Sequence, residues 1–209
     1  MGAAATPCTD LGADEHVAGR AFCDPAHTRR DRATLTRLRD ALKRQAGAGH
    51  ASVLQFADEI GEHVVAVPAW EALARSQPVA VVGFFGQSRE RVDHSPILEI
   101  EQEIVARAAT FPGLLAYHNA RLGEGHWGNM VLFASRAAVA SLAPDPMHIK
   151  AVASAPSHYE SLRLHRGSLA DGLLGTAEVL LDETLYLDFS TRPAWRGLRV
   201  YARGADPAP

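Results

Sequence analysis

The feature that most constrains the fold of this chain is an alternation of strand and helix patterns along its middle third. Apolar runs rich in β-branched and aromatic side chains predict strands, and apolar residues at spacings of three and four predict helices. The strand patterns cover residues 79–87, 114–122, 127–134 and 159–166, and the helical patterns begin at Ser95-Pro96 and Asp145-Pro146. The order is therefore β-α-β-β-α-β, which predicts a split βαβ arrangement.

This order places the chain in the α+β class, with a ferredoxin-like core at residues 78–167. Before the core, residues 28–77 carry a helical pattern and two short strand patterns, and we expect them to pack on the core. After it, residues 168–203 form a C-terminal extension that contains two further strand patterns. Residues 1–27 have no period and are expected to be a mobile tail, as are residues 204–209.

Composition excludes several classes of protein. The chain has 209 residues, a formal net charge of −3 and 47% hydrophobic residues, which is typical of a soluble globular protein. The negative charge argues against a nucleic-acid partner, since phosphate-backbone binding needs a basic surface. No apolar run approaches the roughly 20 residues of a membrane helix, and the N-terminus lacks a signal-peptide pattern. We therefore expect a cytoplasmic protein with no membrane partner.

Side chains alternate between the two faces of a strand, so the sequence also predicts what each face carries. One face of the predicted sheet is plainly apolar. The other gathers aromatic and hydrogen-bonding side chains, namely Tyr117, Asn119, Arg121, Trp127, Asn129, Arg163 and His165. This face is either solvated or covered by a second subunit or the terminal segments. We favour a covered, semi-polar cavity, because with Phe85 the aromatic share exceeds what a bare surface carries.

The stretch from Trp127 to His165 resembles the dimeric α+β barrel superfamily, in particular its antibiotic-biosynthesis monooxygenase-like members. The resemblance is carried by the strand at residues 129–133, by a helix with His148 near its start, and by the step at residues 155–159. It covers about residues 78–167. It implies a homodimer whose two sheets close a barrel, with a cavity in each protomer. Members include cofactor-free oxygenases, haem-degrading and haem-dependent enzymes, isomerases and cyclases.

Three residues are the candidate catalytic groups. His148 lies in the first turn of the second predicted helix, where the positive end of the helix dipole favours a neutral imidazole that can act as a general base. His165 and Arg163 are expected to hold and polarise a substrate oxygen. The candidate substrate-binding residues are Trp127, Asn129, Tyr117, Asn119 and Phe85.

Three hypotheses for function follow. The first is a small-molecule enzyme of specialised metabolism, either monooxygenase-like or a proton-transfer catalyst such as an isomerase or cyclase, with no bound cofactor. The second is a haem enzyme of the same barrel fold, with His148 as the proximal ligand. The third is a non-catalytic barrel that binds a small ligand. The histidine spacing matches no zinc or non-haem iron motif, so we expect no dedicated metal site.

Overall fold

The computed structural model describes residues 7–46, 51–123 and 126–202. The expected tail at residues 204–209 and the first six residues of the expected N-terminal tail lie outside these ranges. The strands are β1 (Cys8–Leu11), β2 (Val53–Ala57), β3 (Glu62–Ala66), β4 (Val79–Ser88), β5 (Leu114–Gly123), β6 (His126–Phe133), β7 (Tyr159–Leu169), β8 (Leu180–Asp188) and β9 (Trp195–Val200). The α-helices are α1 (Pro25–Gln45), α2 (Trp70–Arg75), α3 (Ser95–Ala106), α4 (Arg136–Ser141) and α5 (Pro146–His158).

All nine strands belong to one open, mixed sheet with the order β1-β9-β8-β7-β4-β6-β5-β3-β2. The β1–β9 pair is parallel, and every other neighbouring pair is antiparallel. The α+β class predicted from the sequence is confirmed. None of the helices in the described ranges is both long and apolar enough to cross a bilayer.

The four central strands have the connectivity expected from the sequence pattern. Strand β4 leads through α3 to β5, with β6 between them, and β6 leads through α5 to β7, with β4 between them. Each connection is thus a crossover between two parallel strands that are separated by one antiparallel strand. The flanking strands extend this core at both edges, so the segments before and after residues 78–167 join the same sheet.

Helix α1 covers one face of the sheet, which we call the α1 face. The helix begins with Asp24 as N-cap and Pro25 in its first turn, and the Asp24 side chain accepts from the backbone N–H of Ala26. Its leucines Leu35, Leu38 and Leu42 are fully buried against the sheet. Burial of each such side chain stabilises the fold by about 1.5–3 kcal/mol. The sheet is open and not closed into a barrel. The face with Tyr117 and Trp127, which a second subunit or the terminal segments were expected to cover, is the opposite one, and it lies beneath α3 and α5 of the same chain.

Gly83 of β4 allows α1 to approach the sheet closely. A Cβ at this position would lie 2.9 Å from Cδ1 of Leu35 and 3.1 Å from Cδ2. Any larger residue here would therefore force the Leu35 side chain to shift.

Helices α3 and α5 pack on each other across the opposite face, which we call the α3–α5 face. Apolar residues of α3 contact the sheet, and Asp145 caps α5 by accepting hydrogen bonds from the N–H groups of Met147 and His148. The side chains beneath the two helices are Val82 and Phe84 from β4 and their cross-strand neighbours. Both faces of the sheet core are therefore covered by helices of the same chain.

The segment expected to be an N-terminal tail contains the edge strand β1. Arg199 of β9, which is fully buried, holds the residues that follow β1. Its guanidinium donates to the backbone carbonyls of Gly12, Glu15 and Cys23 and to the hydroxyl of Tyr186. Among the described residues Arg199 has no carboxylate partner, and these four acceptors satisfy its buried charge and tie the segment to the sheet.

Candidate functional site

The candidate site is centred on Asn129, in the middle of the α3–α5 face. Asn129 lies opposite Phe84 of β4 on one side and opposite Asn119 of β5 on the other. Residues that pair across neighbouring strands project from the same face, with Cβ atoms about 5 Å apart. The relative exposure of Asn119 is 8% and that of Asn129 is 6%. Two primary amides are thus set side by side beneath the helices.

Glu101 of α3 lies above this pair of asparagines. Its neighbours one turn away, Ile97 and Ile104, both pack on the sheet, so the carboxyl projects from the buried side of the helix. Nδ2 of Asn119 donates to Oε1 of Glu101 at 2.5 Å. Burial raises the pKa of the Glu101 carboxyl, and the hydrogen bond from Asn119 offsets only part of this effect. Within the described ranges Glu101 forms no ion pair, so its charge is not neutralised by a cation.

The charge of Glu101 acts on two tyrosines of the same face, Tyr117 and Tyr159. Burial, and then the charge of Glu101, raise the pKa of Tyr117 well above its ordinary value. The same two causes raise the pKa of Tyr159 to about 12. Both phenols therefore remain protonated at neutral pH and can donate hydrogen bonds.

Aromatic rings form the apolar wall of the site. The rings of Phe84 and Tyr159 meet edge to face, with centroids 5.5 Å apart. Trp127 lies opposite Gly86 in the β4–β6 pair, and a Cβ on Gly86 would lie 2.7 Å from the Tyr159 ring. Gly86 thus provides the space in which these aromatic side chains come together.

Several polar groups at the site are not used by the protein itself. The side-chain amide of Asn129 and the hydroxyls of Tyr117 and Tyr159 make no hydrogen bond to any residue that the structure describes. None of these atoms is completely enclosed without a partner, which leaves them available to a ligand. An apolar wall with a few uncommitted polar groups and a carboxyl of raised pKa is typical of a small-molecule site.

Three predicted site residues lie on the α1 face instead. Arg163 donates to Asp31 of α1 from Nε at 2.5 Å and from Nη2 at 3.0 Å. His165 is also bonded to Asp31, with an Nε2···Oδ2 distance of 2.9 Å, and to the Thr184 hydroxyl, with an Nδ1···Oγ1 distance of 2.7 Å. Phe85 packs beside them, with its ring centroid 5.5 Å from that of His165.

This buried network fastens α1 to the sheet. Asp31, Arg163 and His165 are each less than 10% exposed, and the Asp31 carboxylate bonds to the side chains of the other two. Burial raises the pKa of the Asp31 carboxyl, but the hydrogen bonds from His165 and Arg163 and the Arg163 charge outweigh it, so the pKa is lowered. Neither Arg163 nor His165 is directed to the Asn129 site. The structure therefore gives no support to their expected contact with a substrate oxygen.

The expectation that one face holds all these residues is therefore wrong for Phe85, Arg163 and His165. Alternation fixes the relative direction of side chains within one strand only, and register between strands fixes the rest. In β4, Phe85 pairs with Arg163 and Gly83 pairs with His165, which places both polar residues on the α1 face. Tyr117, Asn119, Trp127 and Asn129 do share a face, beneath α3 and α5.

His148 lies in the first turn of α5, at the border of the buried side of that helix. Met147, Ala155 and His158 are the buried residues of the helix, whereas His148 is half-exposed and its neighbour Ile149 is 55% exposed. A proximal haem ligand needs an imidazole directed into an enclosed apolar cavity. Because His148 is half-exposed at the edge of the buried side, its position does not favour the haem hypothesis.

Glu101 is the site residue that sequence reasoning missed. Glu99, Glu101 and Glu103 all lie on α3, and exposure to solvent is sufficient to explain Glu99 and Glu103. None of the three lies in the first turn, where the helix dipole favours acids. The overlooked signal is the position of Glu101 within the helical pattern. Glu101 follows Ile97 by four residues and precedes Ile104 by three, so it lies within the apolar stripe.

Within the described ranges, no group of three or more His, Cys, Asp or Glu side chains is arranged to hold a metal ion.

Comparisons with known proteins assign no family to the chain. No family model matches it. A search of curated proteins finds no significant match. Among solved structures, it is similar to the NE2512 protein of unknown function from Nitrosomonas europaea, with a TM-score of 0.42 and 13% sequence identity, over 49% of this chain and 99% of that one.

Proposed function

We propose that this protein is a small-molecule enzyme that transfers a proton to and from an uncharged substrate through the Glu101 carboxyl. The observation that carries the proposal is the hydrogen bond from Asn119 to a half-buried Glu101 that has no cationic partner in the described ranges. Burial raises the pKa of this carboxyl, and an upward shift is the direction that general acid–base catalysis near neutral pH requires.

The groups around Glu101 suit a substrate with a carbonyl oxygen. The carboxylate accepts a proton from a C–H bond next to the carbonyl, and the electron pair of that bond moves onto the oxygen as an enolate. The hydroxyls of Tyr117 and Tyr159 and the amide of Asn129 are uncommitted donors for that oxygen. Return of the proton to the same carbon or to a conjugated atom completes an exchange or an isomerisation. No oxidant or reductant takes part.

This reaction type is preferred to monooxygenase-like chemistry and to non-catalytic ligand binding, which are two of the alternatives that the sequence suggests. Monooxygenase-like chemistry needs molecular oxygen in addition to the proton step, and no feature of the site specifically favours its binding. A non-catalytic ligand-binding protein has no need of a desolvated carboxyl, which lowers the stability of the fold wherever it is ionised. The raised pKa of Glu101 therefore favours catalysis over binding alone.

The homodimer remains part of the proposal, but in a different arrangement from a closed barrel. Because α1 occupies one face and α3 and α5 the other, a second copy would have to bind outside the sheet core. Light scattering coupled to size exclusion tests this. A mass of twice 22.4 kDa supports the dimer, and a mass of 22.4 kDa contradicts it.

Deuterium exchange tests the proposed chemistry directly. The protein is incubated in D₂O with a panel of uncharged carbonyl compounds, and loss of the α-proton signal is followed by ¹H NMR. We expect catalysed exchange for at least one compound, and a loss of about 100-fold or more in Glu101→Gln. Glu99→Gln, an exposed carboxyl on the same helix, is the matched control and should exchange at the wild-type rate. Equal rates in wild type and Glu101→Gln would refute the proposal.

A further inference from the structure

Strand β2 lies at one edge of the sheet and, among the described strands, pairs with β3 alone. In an antiparallel pair, residues that exchange backbone hydrogen bonds with the partner strand alternate with residues whose N–H and C=O groups point away from it. Asp58 exchanges both bonds with Gly61, and Ser52 accepts from the N–H of Val67. The even-numbered residues therefore bond to β3. The residues whose backbone groups point outward are Val53, Gln55 and Ala57.

The outer edge of β2 lacks the features that protect sheet edges. These features are charged side chains, proline, bulges and very short strands. The sequence of β2 is Val-Leu-Gln-Phe-Ala, without a charge or a proline, and its register with β3 is regular. The strand at the opposite edge, β1, is shorter and contains Asp10. The edge of β2 is therefore a template on which another strand can pair.

The free edge of β2 is complementary to itself. When a second copy pairs antiparallel about a twofold axis at Gln55, this residue lies opposite its own counterpart, and Val53 lies opposite Ala57 of the second copy. The three N–H and three C=O groups of each edge then bond to those of the other. Asp58, which follows the strand, lies opposite the uncharged Ser52 of the second copy, so the pairing brings no like charges together.

The apolar side chains of β2 also favour a second copy of the same strand. Leu54 and Phe56 pack against the core on the α1 face, and both remain partly exposed. In the antiparallel pair Leu54 lies opposite Phe56 of the second copy, at a position without backbone bonds, where side chains approach most closely. The pairing therefore removes from water apolar surface that a single copy leaves exposed.

We propose that two copies of this protein form a homodimer in which their β2 strands pair antiparallel about Gln55 and join the two sheets into one. The inference rests on the proposed function only in its homodimer, for which it names the surface. It does not depend on the chemistry of Glu101, because β3 separates β2 from the strand that carries Asn119. The same surface is used on both copies, so the contact closes at two.

Disulfide formation between introduced cysteines tests this arrangement in the full-length protein. The variants carry Cys8→Ser, which removes the exposed native thiol and leaves the buried Cys23. Gln55→Cys places two thiols at directly opposite positions, with Cα atoms about 5.5 Å apart, which suits a disulfide. Val53→Cys is the matched control, because its two copies would lie about 14 Å apart along the paired strands. Mild oxidation should cross-link Gln55→Cys at least about tenfold faster than Val53→Cys.

A mixture of two variants tests the register of the pairing. Val53→Cys and Ala57→Cys lie opposite each other in the proposed dimer, so the mixture should cross-link although neither variant does so alone. Cross-linking of each variant with itself, at the rate seen in the mixture, would contradict an antiparallel pair centred on Gln55.

Gln55→Pro tests the same edge without a cross-link. The Gln55 N–H does not bond to β3, so proline removes no backbone hydrogen bond from the single copy. It does remove the central donor of the dimer and places its ring there. Analytical ultracentrifugation over a concentration series should show a dimer dissociation constant raised by about 100-fold or more. Gln55→Ala keeps the backbone donor and should dimerise as the wild type does. Circular dichroism checks that both variants are folded.

A dimer that persists unchanged in folded Gln55→Pro, or equal cross-linking of Gln55→Cys and Val53→Cys, would overturn this interface and leave the homodimer itself in place. A wild-type protein that is monomeric at every concentration would overturn both. If Gln55→Pro does not fold, the cross-linking result decides. Proton exchange through Glu101 is measured separately, so neither result bears on it, and loss of that exchange would not alter the β2 pairing.

Discussion

Nδ2 of Asn119 on β5 donates a hydrogen bond to Oε1 of Glu101 on α3, with an N···O distance of 2.5 Å. This contact fixes the orientation of the carboxyl without supplying a positive charge. The raised pKa that results from burial is therefore retained. A neighbouring arginine would orient the same carboxyl but would also lower its pKa, as Arg163 does for Asp31 on the other face.

Tyr159→Phe should slow the proton exchange that Glu101 catalyses. The variant removes one uncommitted hydroxyl donor but keeps the ring that packs on Phe84. A loss of about tenfold or more in rate is expected when one donor to a developing oxyanion is removed. The rate is measured by ¹H NMR in D₂O. Tyr201→Phe is the control, because the Tyr201 hydroxyl bonds to Thr184 on the α1 face. An equal loss in both variants would contradict a specific role for Tyr159.

Glu101→Gln should stabilise the fold at about pH 8 and change it little at about pH 4. The pKa of Glu101 is raised in the folded state, so its contribution to stability is present at low pH and is lost as pH rises through the folded pKa. The glutamine side chain is neutral at both pH values and still accepts the hydrogen bond from Asn119. Urea denaturation of both proteins at the two pH values gives the difference. A stabilisation that does not depend on pH would contradict this account.

Asp31→Asn should destabilise the protein by about 3–5 kcal/mol, because it leaves the buried Arg163 without its counter-ion. Chemical denaturation near neutral pH measures the loss. The control is the exposed ion pair of Arg166 and Glu183, whose disruption by Glu183→Gln should cost less than about 1 kcal/mol. Similar losses for the two variants would show that the Asp31 network is no stronger than a surface pair.

Asp31 should also account for part of the loss of stability in acid. Its pKa is lowered in the folded state, so its contribution is present above the unfolded pKa, near 3.8, and is lost as pH falls through the folded value. Wild-type protein should therefore lose more stability than Asp31→Asn when the pH is reduced below about 4. Thermal unfolding at a series of acidic pH values measures both curves, and parallel curves would contradict the assignment.

Gly83→Ala should destabilise the fold by about 1–3 kcal/mol, because the added methyl group would meet Leu35 of α1. Combining it with Leu35→Ala removes the clash, so the loss in the double variant should be smaller than the sum of the two single losses. Gly12→Ala is the control, since its nearest neighbour would lie at an ordinary 3.6 Å. Additive losses of stability in the double variant would show that the added methyl group does not meet Leu35.

Much of the fold could be predicted from the sequence. The β-α-β-β-α-β order is a local property, since each strand and helix pattern is read within a short window, and the structure keeps that order in β4 to β7. The edge strand β1 has no such pattern. It pairs with β9, and Arg199 of β9 bonds to the residues that follow it, so β1 is held by the far end of the chain and no local pattern records this contact.

Part of the candidate site could be predicted from the sequence, because that part also depends on patterns within short segments. Asn119 and Asn129 alternate correctly within β5 and β6, and those strands form a hairpin whose register places them opposite each other. Arg163 belongs to β7, which joins the sheet after a helical crossover, so its face depends on a register that alternation does not determine. Glu101 required the opposite reasoning, in which a charged residue inside an apolar stripe is recognised as an exception.

The most direct test of the central claim is the titration of Glu101 by NMR in protein with ¹³C-labelled glutamate side chains, with Glu101→Gln to assign its signal. The account predicts that the Glu101 carboxyl titrates clearly above its ordinary pKa of 4.5, because it is desolvated beneath α3 without a cation. A titration midpoint at or below 4.5 would contradict it, since a carboxyl that ionises so readily is neither desolvated nor suited to hold a proton near neutral pH.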